Sequence, residues 1–223
     1  ICFKKHDLIM DEDISIINEK TRNERIKNFF VKNKKLLITI LSFFIVIILF
    51  FYSYQIFKDG HRKQLSDKYN SAVIEYSNGA KSKATLIMKE VVEDKEATYS
   101  PLALYFLIDN NLIDNKSEIN RLFNILIDNT SLEKEIKNLI IYKKALFNAD
   151  TSNENQLLDI LKPLLNSESI WKSHALYLIG EYFYSKNEKE KSKEFFNKIL
   201  NTENANQDII KESQKRLNRD LSD

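Results

Sequence analysis

The chain has 223 residues, three glycines, two prolines, one cysteine and a formal net charge of +2. So few turn-formers argue against a turn-rich β architecture, and near-neutral charge argues against a nucleic-acid binder. The single cysteine, Cys2, lies far from the polar part of the chain and leaves no internal disulfide to be made.

The first residue is Ile1 and the first methionine is Met10, followed by Asp11, Glu12 and Asp13. Residues 1–9 are therefore expected to lie upstream of the natural start. Residues 14–33 suit a helix, with Ile14, Ile17, Ile26, Phe29 and Phe30 apolar. Thr21 and Asn23 break the apolar stripe, so a basic collar extending a membrane helix is favoured over an amphipathic headgroup contact.

Residues 36–57 carry no charge. A helix of that length spans roughly 33 Å, enough for a hydrocarbon core. A buried core helix would show a polar face, and only Thr39 and Ser42 interrupt residues 36–51. A cleaved signal would be shorter and would exit through small residues. Here the exit is Tyr52, Ser53, Tyr54, Gln55, Ile56 and Phe57, which suits a membrane–water interface. The 15 residues before the span hold six Lys or Arg, and the 15 after it hold four. That bias points to an N-terminus inside and an exported C-terminal part. The expected division is an N-terminal segment at 1–35, one transmembrane helix at 36–57, and a helical domain at 58–223.

The domain carries a period. Tyr69, Tyr105, Tyr142 and Tyr177 are separated by 36, 37 and 35 residues. Eighteen residues after each stand Ile87, Phe123, Ile160 and Phe195, and 22 after each stand Val91, Ile127, Leu164 and Ile199. Three residues after each stand Ala72, Ile108, Ala145 and Gly180. This spacing predicts helix–turn–helix units near the tetratricopeptide period of about 34. In the first and third units the pattern fits one residue earlier. In the fourth, Leu176, Ile179, Gly180 and Phe183 share one face, answered by Ser192, Phe196 and Ile199 on the next helix.

Ser100 before Pro101 predicts a helix start, and Gly79 a helix end. Asn110, Asn111 and the run 149–155 predict turns. Pro163 is expected to kink or shorten its helix, and 207–219 to form a capping helix with one polar face. The expected fold is all-α: one transmembrane helix, then a tetratricopeptide-like α-solenoid of about four helical hairpins and a capping helix.

Catalytic signatures are missing. His6, His61 and His174 fall in no metal-ligand spacing, and there is no Walker loop, GxGxxG or GxSxG. The chain reads as a protein-binding module without cofactor, metal or catalytic residues, and not as an enzyme. His174, Tyr177, Glu181 and Tyr184 share a helix face at spacings of three, four and three. One reading is a strip lining a protein-binding groove. The other is half-buried packing against a neighbouring unit, the commoner origin of aromatic stripes.

The stub NERIKNFFVKNKKLL (23–37), KYNSAVIEYSNG (68–79), ATYSPLALYFLIDNNLIDN (97–115) and the helical pair at 173–200 together resemble the YfgM-like ancillary subunits of the bacterial SecYEG translocon. The resemblance implies an inner-membrane protein, N-terminus in the cytoplasm, with a periplasmic tetratricopeptide-like domain. It implies association with SecYEG and a PpiD-type periplasmic chaperone, and a role in folding or trafficking of unfolded, newly exported proteins. It brings no cofactor or catalytic residue. The alternative is a tetratricopeptide scaffold for another envelope assembly, such as cytochrome maturation or division.

Overall fold

The computed structural model describes residues 22–221. The expectations placed on Cys2, His6, Met10, Ile14 and Ile17 lie outside them. The chain divides into two compact units, Ile1–His61 and Arg62–Asp223.

In the first unit, residues 22–32 are helical and exposed. Helix α1 begins at Lys34 and runs to Ser77. Its uncharged stretch leaves side chains such as Phe50 and Phe57 about three-quarters exposed, at 76% and 75%. Thr39 and Ser42 donate their hydroxyls to the carbonyls of Lys35 and Ile38, which removes unsatisfied donors from the apolar surface. This helix is long and apolar enough to cross a membrane.

The second unit holds the rest of α1, then α2 (Lys81–Glu93), α3 (Tyr99–Asp109), α4 (Lys116–Asn129), α5 (Lys134–Asn148), α6 (Glu154–Leu165), α7 (Lys172–Ser185), α8 (Lys189–Leu200) and α9 (Gln207–Arg219). Among the described residues there is no strand. From α2 onward each helix packs on its successor, and α2 with α4, α5 with α7 and α7 with α9 pack as well. Such alternate packing is what lets amphipathic helices, each apolar along one stripe, bury it against two neighbours.

The interior forms three clusters. The first joins Leu65 and Ala72 of α1 to Met88, Val91, Leu104, Leu107, Leu122 and Leu126. The second is built around Ala145, Leu157, Leu161, Ile179 and Phe183. The third holds Leu176, Phe196, Ile199, Ala205 and Leu221.

Asparagine does much of the helix punctuation. Asn115 and Asn206 each accept two backbone N–H groups at helix starts. Asn153 forms a reciprocal capping box with Gln156. Asn111, Asn187 and Asn204 take left-handed φ values of 49°, 62° and 57° after helices, a role glycine plays at Gly79 with φ 85°. Helix α6 ends two residues after Pro163.

Ser100 does not cap α3. The helix starts at Tyr99, and the Glu96 carboxylate accepts the N–H groups of Thr98 and Tyr99, both at 2.7 Å. A charged acceptor is stronger than a hydroxyl there. Ser100 is instead fully buried, donating to the Val91 carbonyl.

The tyrosine period keeps one register in three of four places. Ala72, Ala145 and Gly180 are buried three residues after their tyrosines, and Met88, Leu161 and Phe196 nineteen after. Ile87, Ile160 and Phe195, one residue before these last three, are only half-buried. The slip falls in the second place, where Leu107, Phe123 and Leu126 are buried one residue early and Asn124 is exposed. It does not fall in the first and third.

Candidate functional site

The four residues of the sequence-predicted strip project from α7 at helical spacing, all half-buried. They do not form one uniform surface. His174 belongs to an aromatic trio: its ring lies 5.0 Å from Trp171 and 5.8 Å from Tyr142, and Tyr142 stacks on Trp171. Burial pushes the imidazole pKa down, and the Ile170 backbone opposes that shift. Tyr177 lies 5.4 Å from the buried ring of Phe196, and its burial raises the phenol pKa.

Tyr177, Glu181 and Tyr184 converge on a residue the strip did not include. Arg216 of α9 donates from Nε and Nη2 to the two oxygens of Glu181, each at 2.7 Å. Its guanidinium carbon stands 5.1 Å from the centre of the Tyr184 ring. Its Nη1 reaches Asp220 at 2.8 Å, and Asp220 also accepts from Arg219. The paired guanidinium groups hold the Asp220 carboxyl far below the usual carboxylate range. The two-pronged contact with Glu181 plus the aromatic face is the arrangement arginine makes and lysine cannot.

Arg216 follows Glu181 by 35 residues, the spacing that separates the tyrosines. Other contacts recur at that interval: Tyr99 donates to Ser66 across 33 residues, Ser169 to Glu135 across 34, and the Asn206 N–H to Ser173 across 33. The 35-residue interval from Glu181 to Arg216 was the signal the sequence carried.

A second feature had no sequence signal. Between α3 and the start of α5 lies an apolar groove of about 400 Å³, lined by Pro101, Leu102, Tyr105, Leu132 and Ile136 among others. Leu102 and Ile136 are 43% and 40% exposed along it. The Tyr105 hydroxyl is buried without a hydrogen-bond partner among the described residues, and burial pushes its pKa up to about 12. The Lys143 ammonium stands 4.3 Å from the centre of that ring.

Among the described residues, no group of three or more His, Cys, Asp or Glu is placed to hold a metal ion. The arrangement offers ion pairing, cation–aromatic contact and apolar burial, which are means of recognition. Compared with protein-family models, with curated proteins and with solved structures, the chain finds no match in any of the three.

Proposed function

We propose that this chain is a membrane-anchored protein-binding module: an ancillary subunit of the SecYEG translocon that assists unfolded, newly exported proteins. In this reading α1 anchors the chain in the inner membrane with the N-terminus in the cytoplasm. The helices from Arg62 onward form a tetratricopeptide-like solenoid in the periplasm, beside a PpiD-type chaperone.

The observation that carries the reading is order along the chain. A basic segment leads into one helix long and apolar enough to cross a membrane, followed by helices that pack on their neighbours and next-but-one neighbours. The contacts at 33 to 35 residues support a repeating unit near the tetratricopeptide length. The apolar groove beside Leu102 and Ile136 supports contact with exposed apolar polypeptide. The resemblance of the stub, the 68–79 and 97–115 segments and the pair at 173–200 supplies the translocon.

The test has two stages. A reporter active only in the periplasm, fused after Asp223, should be active. A silent reporter, with a cytoplasmic reporter active in its place, would invert the topology and end the translocon reading. Affinity capture in mild detergent should then return SecYEG components. Recovery of a cytochrome-maturation or division complex instead would favour the scaffold alternative.

A further inference from the structure

We propose that the Tyr177–Glu181–Tyr184 face of α7 is a guanidinium-reading site that α9 fills in cis, and that an arginine on an amphipathic helix of a protein partner replaces Arg216 there. The proposal rests on reading the chain as a protein-binding module.

Three observations carry it. First, one arginine engages the face completely. Both Glu181 oxygens accept from it at 2.7 Å and the Tyr184 ring lies beneath it at 5.1 Å. A lysine delivers neither the fork nor the flat stacking surface. Second, Arg216 arrives on a helix whose contacts are those of a docked amphipathic segment. Ile209, Ser213 and Leu217 recur at i, i+4 and i+8 along it, and Ile209 and Leu217 pack into the third cluster. The occupant is therefore a helix with apolar residues seven before and one after its arginine.

Third, between the buried anchors Ala205 and Leu221 at its ends, α9 is less buried along its own length than α8. Of its residues only Ser213 is fully buried, while Ile209, Ile210 and Leu217 stay half-exposed. On α8, by contrast, Ser192, Phe196 and Ile199 are all at 0% exposure. The Glu181–Arg216 pair itself keeps about a quarter of each side chain in solvent, 27% and 26%, so water can re-solvate both partners on release. Such a helix opens ahead of the core.

A tethered α9 competes at an effective concentration on the order of millimolar, so weakening it raises the apparent affinity of a segment in trans by the same factor. The probe is a fluorescent peptide copying residues 203–221, added to full-length protein in mild detergent. Arg216→Gln should bind it at least about tenfold more tightly than the wild type. The gain should vanish when Glu181→Gln is added to the protein, or when the peptide itself carries Arg216→Gln. Equal binding by wild type and variant, or by the arginine-free peptide, would overturn the proposal. If Arg216→Gln fails to fold, hydrogen exchange of the wild type decides: α9 amides should exchange well ahead of those of α3 and α4. Exchange of α9 only together with α3 and α4 would overturn the proposal equally. A failed translocon capture would leave these peptide results standing, so the two readings fail separately.

Discussion

Gly180→Ala puts a methyl group where α7 and α8 leave no room for one. A Cβ at residue 180 would stand 2.8 Å from Phe196 Cε1, 2.9 Å from Cζ and 3.1 Å from Cδ1. Carbon atoms rest at about 3.5–4.0 Å, so the ring must retreat by most of an ångström. Phe196 is at 0% exposure and lies 5.4 Å from Tyr177, so the ring cannot swing into solvent. Two effects compete. Alanine is favoured over glycine in a helix interior by about 1 kcal/mol. Overpacking a filled core costs about 1–3 kcal/mol. Because three ring atoms are involved, the clash falls in the upper half of that range, about 2–3 kcal/mol, and leaves a net loss of about 1–2 kcal/mol. For a unit of this size that lowers the melting temperature by about 2–8 °C. Thermal unfolding of full-length protein in mild detergent, followed by circular dichroism, reads the change. In a Phe196→Leu background the ring is gone, and the same alanine should be neutral or stabilising. An Ala variant that melts at or above the wild type, with Phe196 intact, would refute the close packing of α7 on α8.

Ser100→Ala removes a buried hydroxyl that donates to the Val91 carbonyl at 2.6 Å and accepts the Glu96 N–H at 2.9 Å. The loss should be about 1–3 kcal/mol, seen as a lower urea midpoint with an unchanged slope. Glu118, bonded to Arg121 and Lys89, has its carboxyl pKa lowered from 4.5 to about 2. The unfolded chain takes up this proton first, so the stabilisation is present above about pH 4.5 and is lost as the pH falls towards 2. Urea midpoints measured across that window should fall less steeply for Glu118→Gln than for wild type. Tyr105→Phe deletes a buried hydroxyl with no partner among the described residues and should be neutral or stabilising by up to about 1 kcal/mol. A clear loss on urea titration would mean the hydroxyl is bonded after all.

The helices were legible because their signals are local or periodic. The apolar run at 36–57 has no charge to break it, and the tyrosine period carried Ala72, Ala145 and Gly180 to buried positions. What was not legible depends on how helices sit against each other. Periodicity puts Glu181 on a face of α7 but does not say which helix that face meets, so Arg216 was missed. The Ser100–Pro101 pair looks like a helix start because sequence shows the hydroxyl but not the Glu96 carboxylate folding back to take its place. The register slip at Leu107 and Phe123 is of the same kind, since Leu107 and Leu126 each have an apolar neighbour, Ile108 and Ile127, at the in-register position, and only Asn124 marks the shift. The groove beside Leu102 exists only as a gap between α3 and α5.

The three core clusters communicate through few side chains. Ile127 is the half-buried residue that packs against both the first and second, and Leu165 and Phe195 pack against both the second and third. Cooperativity in this unit therefore passes through narrow joints. Damage inside one cluster should stay there, so that substitutions at Leu104 and Phe196 add, whereas trimming Ile127 or Leu165 should uncouple melting events that otherwise coincide. Such a chain can loosen at one end while the other end keeps its shape.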